Sequence, residues 1–158
     1  MQRIRVATFL VAVGLSVCAA QVDAQRGTMS DQDRQEFLNY PLTMPRANAL
    51  IAAMQEMTAY MVSRPDLSAV MARSAKMTRA ELIAQMEKDP KSMAIVTPRG
   101  LKAKDYIYGV PALRMALMAA QGLSAPTIVA SPANVAFAKA NLAQLKPKME
   151  AAEGRGRQ

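Results

Sequence analysis

The stretch KDYIYGVPALRMALMAAQ, residues 104–121, decides how the rest of the chain is read. Tyr106, Ile107, Tyr108, Val110, Leu113, Met115, Leu117 and Met118 cover most of a helical circumference. Such coverage marks a helix surrounded by other elements, not one laid on a surface. Gly109 and Pro111 interrupt the stretch. Proline removes a backbone donor, so a bend or a division of the helix is predicted there. Gly122 follows as a C-terminal stop.

Upstream, apolar residues recur at three- and four-residue steps between clear stop and start signals. Ser30 with Asp33 predicts a short helix through Phe37 and Leu38, broken by Asn39-Tyr40-Pro41. Thr43 with Pro45 opens a longer amphipathic helix carrying Ala47, Leu50, Ile51, Met54, Met57, Thr58 and Met61 on one stripe. Arg64-Pro65-Asp66 ends it, with Asp66 as N-cap of a helix marked by Leu67, Val70, Met71 and Ser74. Thr78 and Glu81 form the clearest capping box, ahead of Leu82, Ile83 and Met86. Asp89-Pro90 punctuates again, and Lys91 to Val96 forms a further turn or two before Thr97-Pro98-Arg99-Gly100.

Downstream, Leu123 to Ala130 holds the β-branched run Thr127-Ile128-Val129, read as an extended loop crossing the core because a lone strand is unstable. Ser131-Pro132 starts a last helix along Val135, Ala138, Leu142, Leu145 and Met149. Ala151 to Gln158 reads as a frayed end. The fold class is therefore all-α: a single small domain of five or six short helices with a central apolar helix. The boundaries are a signal peptide at 1–24, a mobile leader with a short helix at 25–42, a helical domain at 43–152 and a frayed tail at 153–158.

Composition agrees with close packing of small and flexible side chains. The chain is 51% hydrophobic but only 4% aromatic, and 30 of its 158 residues are Ala and 13 are Met. Ala faces let helix axes approach, and Met fills irregular gaps.

The N-terminus reads as an export signal. Arg3 and Arg5 precede an almost unbroken apolar run of 15 residues, Val6 to Ala20, and Val22-Asp23-Ala24 supplies a small-x-small cleavage context. The run is shorter than the roughly 20 residues of a spanning helix. Cleavage after Ala24 is expected, which places the protein in the periplasm or outside the cell; cleavage after Ala20 and a retained anchor are the alternatives. Leu15-Ser16-Val17-Cys18 approximates a lipobox, but Val17 departs from the small residue that pattern wants, so anchoring through Cys18 ranks below the soluble form. A chain starting at Gln25 has no cysteine, hence no disulfide.

Loss of Arg3, Arg5 and Asp23 leaves 18 basic and 11 acidic residues, a net charge of +7. For an exported protein the first reading of that surplus is a spread-out charge that keeps the chain soluble, with an envelope protein or an anionic lipid or polysaccharide surface as the alternative and nucleic acid not expected. Lys88, Lys91, Arg99, Lys102 and Lys104 form the densest basic neighbourhood, interleaved with Asp89 and Asp105.

The absence of His removes His-based acid/base catalysis, triads and zinc sites. No Gly-x-Ser-x-Gly elbow, Ser-x-x-Lys pair or Gly-rich phosphate loop is present. Asp31, Asp33, Asp66, Glu81, Asp89 and Asp105 fall at helix starts or breaks, where negative charge is favoured structurally, and Glu56 and Glu87 have no evident partner. No catalytic or metal-ligating residue is assigned, and no cofactor is expected.

Two constellations remain. Met54, Met57 and Met61 on one helix, and Met115 with Met118 on another, have soft sulfurs at spacings that suit Cu(I) or Ag(I). The same stripe holds Leu50 and Ile51, so core packing is the first reading and a thioether metal carrier the alternative. Arg114, Tyr106, Tyr108, Asn134 and Asn141 could line a small pocket, although Arg114 and Gln121, seven apart, also fit a narrow exposed stripe. The function expected is that of a non-catalytic accessory or binding module.

Overall fold

The computed structural model describes residues 30–123 and 130–154. Every regular element among them is helical: α1 (Asp31–Leu38), α2 (Met44–Val62), α3 (Leu67–Ser74), α4 (Arg79–Glu87), α5 (Pro90–Val96), α6 (Ala103–Ala120) and α7 (Pro132–Ala152), with a 3-10 turn at Thr97–Arg99. The domain is single and all-α, with seven helices among the described residues where five or six are expected. The extra helices come from the dense punctuation between residues 63 and 90. No described helix is long and apolar enough to cross a membrane. The 1–24 segment and the Thr127-Ile128-Val129 run lie outside the described residues.

Local chemistry sets the helix ends. Ser30, Thr43, Thr78 and Ser131 each accept a backbone N–H from three residues on, from Asp33, Arg46, Glu81 and Asn134 respectively. At Thr78 the box closes fully, because Glu81 takes the Thr78 backbone N–H at 2.7 Å. Asp66 occupies the N-cap position of α3, but its side chain makes no cap bond, since both carboxylate oxygens accept from Arg64 at 2.9 Å. Gly122, with φ of +77°, ends α6 in a Schellman turn: its N–H donates to the Ala119 carbonyl and that of Leu123 to Met118.

α6 is central, touching α1, α2, α4, α5 and α7. Its buried face is Ala103, Tyr108, Gly109, Ala112, Leu113, Ala116 and Leu117, while Tyr106, Ile107, Val110 and Met115 are half-buried. The helix runs undivided through Pro111. Proline removes one donor, and packing on both sides of that position keeps the helical path.

The α2 stripe is buried as its periodicity implies, through Ala47, Leu50, Ile51, Ala53, Met54 and Met57, but Thr58 is exposed and donates to the Met54 carbonyl at 2.8 Å. Phe37, Tyr40 and Leu42 join the same core, so the chain from Ser30 onward packs with the rest. At the other end α7 continues through Ala151 to Ala152, which is buried, and Glu153 meets Arg114 at 2.7 Å; the helix therefore extends into the stretch read as frayed. α3 is peripheral: it buries Val70 alone, leaving Met71 58% exposed.

Two contacts fix the connector between α1 and α2. A Cβ built on Gly109 would lie 2.7 Å from the Tyr40 ring carbon Cζ and 2.8 Å from Leu50 Cδ1, so the connector and α2 approach α6 at a distance only glycine permits. Asn134, buried in α7, donates through Nδ2 to the Tyr40 carbonyl at 2.9 Å and accepts the Leu42 N–H on Oδ1 at 3.3 Å. It satisfies two backbone groups of a non-helical segment that has been taken out of water.

Gly109→Ala is expected to destabilise the domain by about 1–2 kcal/mol although alanine favours helix, because overpacking outweighs the propensity gain. Asn134→Ala is expected to cost roughly 2–3 kcal/mol through two unpaired buried backbone groups. Urea unfolding midpoints of the two variants check both values.

Candidate functional site

Two of the clefts among the described residues are lined by arginines, and in the first a tyrosine joins them. The first, about 500 Å³, lies where the end of α2 meets the starts of α3 and α5. Tyr60 is its centre. Arg64, one helical turn later, donates to the Tyr60 hydroxyl at 2.9 Å, and that hydroxyl donates to Asp89 Oδ2 at 3.1 Å. Ser92 adds a second donor to the same oxygen at 2.7 Å, and the Lys91 N–H reaches Oδ1 at 3.2 Å. The Arg64 guanidinium carbon and the Lys91 ammonium lie 5.6 and 5.8 Å from the Tyr60 ring centroid.

The chemistry of this network is that of a lock. Partial burial raises the Asp89 pKa, but hydrogen bonds from Ser92, Tyr60 and the Lys91 and Ser92 backbone outweigh it and hold the carboxyl below its ordinary 3.8. Asp33 behaves alike: burial raises it, while hydrogen bonds from Tyr108 and Ser30 and the charge of Arg79 lower it further. Both acids are ionised at neutral pH, each joining one helix start to another helix through a tyrosine hydroxyl.

The second cleft, about 410 Å³, lies between the 41–49 segment and the turn at 99–101. Thr43 and Arg46 come from the first turn of α2, and Arg99 and Gly100 from the end of the 3-10 turn. The Arg46 guanidinium lies over the Tyr40 ring, 5.4 Å from its centroid. Burial and the nearby Asp105 charge push the Tyr40 pKa up to about 12, so the ring stays neutral. Arg99 is committed within the protein, donating to the Ile95 carbonyl and to Glu56.

The residues singled out from sequence are dispersed. Tyr108 donates to Asp33, Asn134 holds the α1–α2 connector, and Asn141 donates to the Phe137 carbonyl of its own helix at 2.8 Å. Tyr106 is half-buried, and that burial pushes its pKa up to about 12 against the opposing charge of Arg114. These residues do not line one pocket. Glu56, without an evident partner in the sequence, pairs with Arg99. The basic neighbourhood is divided as well: Lys104 pairs with Glu36 at 2.7 Å, Lys91 faces Tyr60, and the Lys102 N–H is capped by Asp105 at 3.0 Å. Met54 and Met57 are core side chains, and the Met57 sulfur accepts from Ser92 at 3.6 Å.

Sequence reading missed Tyr60, Arg64, Tyr40 and Arg46. Tyr60 and Arg64 carried an available signal, an aromatic and a cation at i and i+4. Arg46 carried another: a cation in the first turn of a helix whose start holds no acid. Comparison with protein-family models, curated proteins and solved structures yields no match to this chain.

The lowered pKa values of Asp33 and Asp89 give a definite sign to the acid response. Their contribution to stability is complete above the ordinary carboxylate range and is lost as pH falls through the lower folded values. Asp89→Asn is expected to reduce stability at pH 7 by about 1–2 kcal/mol and to flatten the decline between pH 5 and 2. Thermal unfolding followed by circular dichroism across that range checks both effects.

Proposed function

We propose that this chain is an exported, single-domain helical module that acts by binding and not by catalysis. The use of its ionisable side chains carries the reading. Glu81, Asp89 and Asp105 accept backbone N–H groups at helix starts, Asp33 accepts the Ser30 and Tyr108 hydroxyls, and Glu56, Asp66 and Glu153 pair with arginines. General acid/base chemistry needs a group whose pKa lies near the working pH, and Asp33, Asp66, Glu81 and Asp89 are held below the ordinary carboxylate range by their hydrogen bonds. The N-terminal pattern of Arg3 and Arg5, an apolar run and Val22-Asp23-Ala24 supports export to the periplasm or the medium. A net charge of +7 for a chain beginning at Gln25 supports an anionic partner in the envelope.

The thioether alternative needs several sulfurs presented together to a soft cation. Burial of Met54 and Met57 among Leu50, Ile51 and Ala53 supports packing as their role.

Expression of the full-length sequence in a Gram-negative host, followed by fractionation and intact-mass measurement, tests the export reading. The expected product is a soluble periplasmic chain beginning at Gln25. Recovery of the unprocessed chain from the cytosol would overturn export, and an acylated chain beginning at Cys18 would replace the soluble form with an anchored one.

A further inference from the structure

The two clefts differ in what their polar groups have left to offer. Beside Tyr60, Arg64 is forked on Asp66 and bonded to the tyrosine hydroxyl, and Asp89 is saturated by Ser92, Tyr60 and the Lys91 N–H. That cleft is an internal lock. At the start of α2, Arg46 takes part in no ion pair among the described residues.

We infer that the cleft formed by Pro41, Thr43, Arg46, Arg99, Gly100 and Leu101 binds an oxyanion, the carboxylate or phosphate group of a small solute. Three observations converge. The Arg46 guanidinium lies over the Tyr40 ring, 5.4 Å from its centroid, and a guanidinium without an ion-pair partner matches a carboxylate or phosphate in bidentate fashion. Tyr40, buried and anchored by Asn134, holds Arg46 in that attitude, so little side-chain freedom remains to be lost on binding.

Arg99 lines the same cleft with its guanidinium already engaged by Glu56 and the Ile95 carbonyl, which leaves Arg46 as the cation with room for an anion. The first turn of α2 contains no acid, so a cation there opposes the helix dipole until an anion joins it. The helix start itself offers little, since Pro45 has no N–H and that of Arg46 is taken by Thr43 Oγ1. The Thr43 hydroxyl proton remains available as a donor.

This inference rests on the binding-module reading, and the two fail separately. A chain that binds phosphate but stays in the cytosol keeps the site and loses export; an exported chain indifferent to anions loses the site alone. The test is an NMR titration of the isotope-labelled protein, isolated from expression of the full-length sequence, with sodium phosphate and then sodium acetate at constant ionic strength. The Arg46 Nε–Hε and Gly100 amide signals report.

Saturable shifts are expected for at least one anion, with a dissociation constant on the order of 1–10 mM. Arg46→Gln is expected to weaken binding at least tenfold, Arg46→Lys by roughly threefold because the planar fork is lost, and Lys148→Gln, a cation outside the cleft, not at all. Shifts that fail to saturate, or that persist unchanged in a folded Arg46→Gln protein, would overturn the inference. Cosedimentation with phosphatidylglycerol vesicles separates the sources: binding to vesicles without any response to the free anions would assign the surface to lipid and overturn the solute site.

Discussion

The packing of Tyr40 against Gly109 is the constraint on which the rest of the molecule depends. Its ring lies where any Cβ on α6 would collide, its carbonyl is held by Asn134 of α7, and its outer face supports Arg46 of α2. A single residue in a connector thus meets three helices, two through its side chain and one through its carbonyl. Glycine in a helix interior carries a conformational cost of about 1 kcal/mol relative to alanine, which this close approach offsets with aromatic burial that no larger residue would allow.

Small residues solve the same problem elsewhere. Ala47, Ala53, Ala103, Ala116 and Ala138 are fully buried, so backbone meets backbone closely where a larger aromatic core would hold helices apart. The remaining gaps are filled by Leu50, Val96, Leu113 and Leu145 and by methionines that adapt their shape. Charged groups then secure the ends: Asp33 with Tyr108 ties α1 to α6, Asp89 with Tyr60 ties α5 to α2, and Arg114 with Glu153 ties the end of α7 to α6. Such partly exposed links are individually weak, and they direct helices more than they hold them together.

The helix class and most helix starts were legible because capping is local chemistry. Ser30, Thr43, Thr78 and Ser131 act at the positions their sequences imply. Asp66 stands at the N-cap its sequence implies, but its carboxylate pairs with Arg64 and makes no cap bond, because the nearby guanidinium competes for it. Pro111 was given too much weight, since one missing donor does not divide a helix packed on both flanks. The candidate site was hidden for a different reason. Arg46 over Tyr40 spans a turn, and the Arg99 turn lies more than 50 residues away in sequence, a separation that periodicity cannot bridge.

Fold and proposed site meet at Tyr40: the contact that brings α2 against α6 also fixes the aromatic floor beneath the Arg46 guanidinium. The most direct test is a nuclear Overhauser spectrum of the isotope-labelled protein, read at the Tyr40 ring protons. Strong cross-peaks to the Gly109 α-protons and to the Arg46 δ-protons are the expected result. A Tyr40 ring with neither set of cross-peaks, showing only contacts to its own neighbours in sequence, would contradict the account.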